Sequence, residues 1–165
     1  MFNWYLVYSK PRQELCSLEN LERQGFECFL PLIAVEKLRR KVIVVVQEPL
    51  FPRYLFIRLD ASQEGRSWTP IRSTTGVSRL VTFGQVPAKV DDQLVEIIRS
   101  TVSDASVMQR HFEPGELVRI NDGPFAGLEA VYQMPDGEAR VMVLIDILNK
   151  KVSLSIEPPS LSKVG

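Results

Sequence analysis

The sequence predicts an α+β protein: an α/β sandwich over roughly the first hundred residues, with helices packed on a sheet, and a small separate unit after it. Three observations lead there. The chain has 165 residues, 45% of them hydrophobic, which suits one ordinary domain or two small ones and excludes disorder along its whole length. Strand-like and helix-like segments alternate up to Ser100. Past that point a polar stretch without a period, residues 101–113, gives way to short apolar runs separated by turn residues.

Asn3-Trp4-Tyr5-Leu6-Val7-Tyr8 is rich in aromatic and β-branched side chains and predicts a buried first strand. Lys10-Pro11-Arg12 breaks it, with Pro11 placed to begin a helix that runs to Gly25. Leu15, Leu18 and Leu21 recur at helical spacing, while Gln13, Asn20 and Gln24 lie together opposite Leu15 and Leu18, with Arg12 and Arg23 beside them. Val42 to Val46 reads as a strand after the basic run Lys37 to Lys41. Glu48-Pro49-Leu50-Phe51-Pro52 reads as a rigid turn, because two prolines restrict the backbone around exposed apolar side chains. Tyr54 to Leu59 and Gly76 to Phe83 are two further strands. Asp91 to Ser100 is a helix carrying Leu94, Val95, Ile97 and Ile98.

From residue 114 onward, Pro114-Gly115, Gly123-Pro124 and Asp136-Gly137 punctuate short apolar runs, the grammar of a small β-barrel. One segment fits two templates. Val141 to Leu148 is a buried β-branched run if extended; if helical, Val141, Leu144, Ile145 and Leu148 form one stripe. No glycine or proline interrupts Glu138 to Glu157, so local propensity leaves both folds open. Glu157-Pro158-Pro159-Ser160 reads as a stop followed by a flexible end.

Twenty Lys and Arg balance twenty Asp and Glu, but the zero is an average. Residues 1–58 carry nine basic and six acidic side chains, and residues 101–165 carry six basic and nine acidic. A basic front and an acidic back suggest two modules with different partners. Cys16 and Cys28 form no CxxC and His111 is the sole histidine, so no zinc set and no metal or cofactor site is expected. Two unpaired thiols suit a reducing compartment, and with no apolar run long enough to span a bilayer and no signal peptide the expected location is cytoplasmic. No convergent acid, base or nucleophile is visible, so no catalytic residue is expected and an enzyme is the least favoured class.

Two stretches carry a family resemblance. Glu48-Pro49-Leu50-Phe51-Pro52-Arg53-Tyr54-Leu55-Phe56-Ile57, with Thr75-Gly76-Val77 downstream, resembles the N-terminal domain of NusG-family transcription elongation factors. Pro114-Gly115, Val118-Arg119-Ile120 and Gly123-Pro124-Phe125-x-Gly127 resemble the KOW motif that follows it there. Trp4-Tyr5-Leu6, Leu21 to Gln24, Glu36-Lys37, Pro135 to Arg140 and Leu148-Asn149-Lys150 are most similar to the specialised, gated RfaH branch of that family. Cys16 and Asn20 depart from the branch pattern, which has basic or imidazole side chains there.

The resemblance implies an N-terminal NusG-type domain over 1–100, a linker over 101–113 and a C-terminal KOW domain over 114–165. The last would be either an all-α helical hairpin (closed, autoinhibited) or a five-stranded SH3-like barrel. It implies a monomeric antitermination factor that binds RNA polymerase and non-template-strand DNA, and that reaches ribosomal protein S10 through its freed C-terminal domain. No membrane partner is expected. Lys10, Arg12, Gln13, Asn20, Arg23, Gln24, Arg72, Thr74 and Thr75 would meet DNA; composition alone reads the same helix face as simply solvated. Leu6, Tyr8, Phe51, Pro52, Tyr54 and Phe56 would face the polymerase β′ clamp helices, and Ser67, Trp68 and Thr69 the β gate loop. Leu6 and Phe56 read equally well as ordinary core. The closed state would join Phe51, Val95 and Ile98 to Tyr132, Leu144, Ile145 and Leu148, held by an ion pair between Glu48 and Arg140. Two alternatives stand beside this: a general NusG-like factor with a permanent barrel, and a KOW-type RNA- or ribosome-binding protein.

Overall fold

The computed structural model describes residues 1–63, 68–102, 125, 128–132 and 134–156, with side chains to Asn149. Strand β1 (Phe2–Ser9) is the spine of an antiparallel sheet ordered β2 (Glu27–Phe29), β5 (Tyr54–Asp60), β1, β6 (Val77–Leu80), and β9 (Lys89–Val90) also pairs with β1. β1 and β5 pair in unbroken register from Phe2 opposite Asp60 to Tyr8 opposite Tyr54. Successive side chains on a strand point to opposite faces, and β1 divides its residues accordingly. Trp4 and Leu6 enter one apolar cluster, Tyr5 and Val7 the other.

Helices cover both faces. Helix α1 (Glu14–Arg23) and the short α2 (Thr69–Arg72) bury Leu21 and Ile71 in the cluster around Tyr5 and Val7. Helix α3 (Asp92–Val102) buries Leu94, Val95 and Ile98 against Trp4 and Leu6. The turn of helix α4 (Leu128–Val131) and the long α5 (Gly137–Ile156) join that same cluster through Leu128, Val131, Leu144, Ile147 and Leu148. Strands β3 (Leu32–Arg39) and β4 (Val42–Pro49) pair only with each other, a hairpin whose base is tied by Leu50 N–H donating to Pro31 O at 2.8 Å. β7 (Thr82–Phe83) and β8 (Val86–Pro87) form a second, smaller hairpin.

The α+β class and the sandwich are as expected, and several local expectations are corrected. Helix α1 begins at Glu14, not Pro11: Arg12 is left-handed at φ 62°, Gln13 N–H closes a turn on Lys10 O, and the first helical bond runs from Ser17 to Gln13 O. Its inward face holds Ser17 and Leu21, while Leu15 is exposed. The segment Gly76 to Phe83 is two strands, interrupted where Val81 N–H donates to Leu6 O and Val81 O accepts from Ala88 N–H. The turn at Leu50 and Phe51 does not expose its apolar side chains; both are 0% exposed. The barrel grammar after residue 114 is not what the described residues adopt: 128–131 and 137–156 are helical, because the Val141–Leu148 run buries its stripe against the sandwich rather than pairing as a strand. Residues 114–124, Gly127, most of the expected linker, Ser67, His111 and the stop at 157–160 lie outside the described residues.

Candidate functional surfaces

The first candidate surface is the outer side of α1 and the loop after α2. Ser73 and Thr74 leave α2, and Gly76 turns the chain back into β6 at φ +94°, a conformation that favours glycine. A Cβ on Gly76 would lie 2.8 Å from Ser17 Oγ and 3.0 Å from Ser17 N, so the loop rests directly on the helix. Two amides tie it down. Asn20 Nδ2 donates to Thr75 O at 3.1 Å, and Gln24 Nε2 donates to Thr74 Oγ1 at 2.7 Å and to Asn20 O at 3.2 Å. Thr74 Oγ1 passes the connection on, donating to Pro70 O at 2.8 Å. Asn20 Oδ1 also accepts from Arg23 Nη1 at 3.2 Å.

The structure therefore brings Asn20, Arg23, Gln24, Thr74 and Thr75 together. Lys10, Arg12, Arg23, Gln24, Arg72 and Thr75 are exposed, Gln13 and Asn20 half-buried, and Thr74 buried. Ser17 and Gly76, which set the fit of loop on helix, were not among the sequence candidates. The signal that could have found them is a serine on the helix stripe together with a glycine entering a strand.

The second surface lies across the sheet. Leu6, Phe51 and Phe56 are fully buried in the cluster that also holds Val95, Ile98, Tyr132, Leu144 and Leu148; Tyr8, Tyr54 and Ile145 pack on it partly buried. Phe51 meets Phe56 edge-on at 6.4 Å between centroids. Tyr8 stacks at a tilt on Tyr54 at 4.9 Å, and the Arg53 guanidinium sits 4.1 Å over the Tyr8 ring. Pro52 lies against the start of α5, where a Cβ on Gly137 would come within 2.5 Å of Pro52 Cγ.

Arg140 fastens this contact. Its side chain is 0% exposed, with Nε donating to Leu50 O at 2.7 Å, Nη1 to Met134 O at 2.7 Å and Nη2 to Pro49 O at 3.5 Å. Nη2 also lies 3.5 Å from Glu48 Oε2, and Lys37 Nζ approaches the other oxygen of Glu48 at 3.6 Å. Burial lowers the Arg140 pKa, and the Glu48 and Asp136 carboxylates oppose that shift. An arginine keeps its charge even so, which makes an acceptor for every buried N–H a structural need.

Trp68 is not at the surface. It is buried edge-on against Tyr5 at 4.9 Å and donates Nε1–H to Asp60 O at 3.1 Å, whereas Thr69 is exposed. A bulky indole with one donor is held best where the ring is covered and the N–H has a carbonyl. An open cleft of about 430 Å³ between Phe2, Phe26, Arg58 and Trp68 is lined by no other sequence candidate. Among the described residues no three His, Cys, Asp or Glu cluster as metal ligands, and no helix is long and apolar enough to cross a membrane.

The described residues thus form a basic and amide face on one side of the sheet and an apolar cluster covered by a helix on the other. A family model described as transcription termination factor NusG matches residues 2–99, and the chain belongs to the NusG family. The transcription termination/antitermination protein NusG of Thermus thermophilus is 27% identical over 173 residues, covering 93% of this chain and 94% of that protein. Its namesake in Escherichia coli O6:H1 is 29% identical over 153 residues, covering 88% and 82%. A solved structure described as "Domain interaction in Thermotoga maritima NusG" superposes with a TM-score of 0.44 at 20% identity, covering 68% of this chain and 61% of that one.

Proposed function

We propose that this chain is a gated transcription elongation and antitermination factor of the RfaH type. NusG-family proteins are transcription factors that act with RNA polymerase, and this supports a polymerase partner. The observation that carries the gate is the lid. An apolar patch containing Leu6, Phe51 and Phe56 is covered by α5 and fastened through Arg140. A patch of that kind on a domain matched by the family model over 2–99 is a binding surface kept out of solvent until it is needed.

In this reading the patch takes the β′ clamp helices once α5 leaves, and Thr69 contributes toward the β gate loop with Ser67. The α1 face holds the non-template strand, with Arg12, Arg23 and Arg72 on phosphates and base edges. The domains divide at 1–100, 101–113 and 114–165. The C-terminal part, once free, adopts the barrel that meets ribosomal protein S10, which needs only two packings within a few kcal/mol of each other. Because α1 and α5 pack on opposite faces of one sheet, the DNA face stays open while the polymerase face is closed.

The test is transcription on a paused template with purified polymerase. The full chain should shorten pauses only when a specific non-template sequence is present, and a barrel-locked variant should act on any template. Pause suppression by the unaltered chain on every template would favour the ungated NusG-like alternative. No association with polymerase in pull-down would favour the ribosomal one.

A further inference from the structure

We infer that Asn20 and Gln24 are positioning residues that brace the 73–76 loop and Arg23, and do not themselves read bases. This rests on the proposal that the α1 face holds single-stranded DNA, and it assigns the roles on that face. Reading an adenine edge takes a free amide oxygen and a free N–H together. Asn20 has no N–H left for it: Nδ2 donates to Thr75 O and to Cys16 Sγ at 3.4 Å, while Oδ1 accepts from Arg23. Gln24 has both N–H groups engaged, one on Asn20 O and one on Thr74 Oγ1.

The direction of these bonds matters. They run from the helix to the Thr75 carbonyl and the Thr74 hydroxyl, and on through that hydroxyl to Pro70 O, tying α1 to α2. The loop they hold is already in close approach, since Gly76 has no room for a Cβ above Ser17. A loop pressed onto a helix this closely needs its carbonyl and hydroxyl satisfied from the helix side, and Asn20 and Gln24 supply that. What remains to face a strand is the rest of the Arg23 fork, whose Nη1 is steered by Asn20, together with exposed Lys10, Arg12 and Arg72 and the half-buried Gln13.

The experiment uses the full chain, selection from a randomised single-stranded DNA library, and amide hydrogen exchange. Arg23→Ala should erase preference at one base position. Asn20→Ala should weaken preference at that same position, lower affinity several-fold, and change no base preference when added to Arg23→Ala. A residue that reads bases has a position of its own, so loss of preference at a position that Arg23→Ala leaves intact overturns the inference. In amide exchange Gln24→Glu, which keeps an acceptor but loses both donors, should loosen the loop as Gln24→Ala does. Exchange at Thr74 and Val77, whose N–H groups donate to Ile71 O and Thr74 O, should accelerate at least tenfold in Asn20→Ala and Gln24→Ala. Unchanged exchange there overturns the brace whatever DNA does. If the unaltered chain selects no sequence from the library, the DNA reading fails, and the brace is decided by exchange alone.

Discussion

Arg140 and Glu48 illustrate how one buried cation organises its surroundings. Three backbone carbonyls and one carboxylate receive the guanidinium, so removing the carboxylate leaves a buried charge with neutral acceptors only. Glu48→Ala should destabilise the docking of α5 by about 1–3 kcal/mol, at the lower end because Glu48 is 21% exposed and Lys37 shares it. Hydrogen exchange over residues 141–148 reads this directly, and protection equal to that of the unaltered chain would argue that the pair does not hold the lid. A second prediction concerns the thiols. Burial, with the Glu22 and Glu27 charges, pushes Cys28 up to about 12. Only the thiolate reacts, so Cys28 stays protonated and inert at pH 8 and ionises only as the pH nears 12. Iodoacetamide at pH 8 should therefore label Cys16 at least tenfold faster, measured by peptide mass.

At the scale of elements, two tests separate intrinsic preference from packing. The β3–β4 turn places Arg40 and Lys41 at φ 50° and 66°, a two-residue hairpin turn that favours an asparagine followed by a glycine. The double substitution Arg40→Asn with Lys41→Gly should raise stability by about 0.5–1 kcal/mol, or roughly 2 °C in Tm, with both positions exposed. Gly137→Ala tests the reverse case. Alanine ordinarily favours a helix over glycine, but Gly137 opens α5 and a Cβ there meets Pro52 Cγ. The variant should weaken the docking of α5 on residues 48–52, seen as faster exchange at Leu144 and Leu148. Faster exchange is evidence for the docked position because propensity alone predicts slower exchange.

Elements of this kind show what could be read in advance. β1, β5 and α3 were legible because their apolar residues keep one period and their burial is decided within the sandwich. The start of α1 was not, because a left-handed Arg12 and the close fit of Ser17 on Gly76 depend on a loop more than fifty residues away. The C-terminal run Val141–Leu148 satisfied both periods, so its helix is chosen by the Phe51 patch and Arg140, not by local propensity. Phe51 was expected as an exposed turn residue for the same reason: a turn that is covered from afar looks exposed when read alone.

Across the whole molecule, the described residues build one sheet covered by helices on both faces. Lys10, Arg12, Arg23 and Arg72 are exposed on and beside α1, and the opposite face carries the apolar cluster with α5 packed on it. Arg140 is the buried ion-paired side chain of α5, and Leu144, Ile147 and Leu148 are its buried apolar ones. The central claim is that α5 covers the surface by which the N-terminal domain engages RNA polymerase. The most direct measurement is the affinity of purified polymerase for the full chain against its Leu144→Glu variant, which leaves residues 1–102 unaltered and undocks the helix. Tighter binding by the variant, about tenfold or more, is the result predicted. Equal or weaker binding, with the N-terminal sandwich still folded, would contradict it.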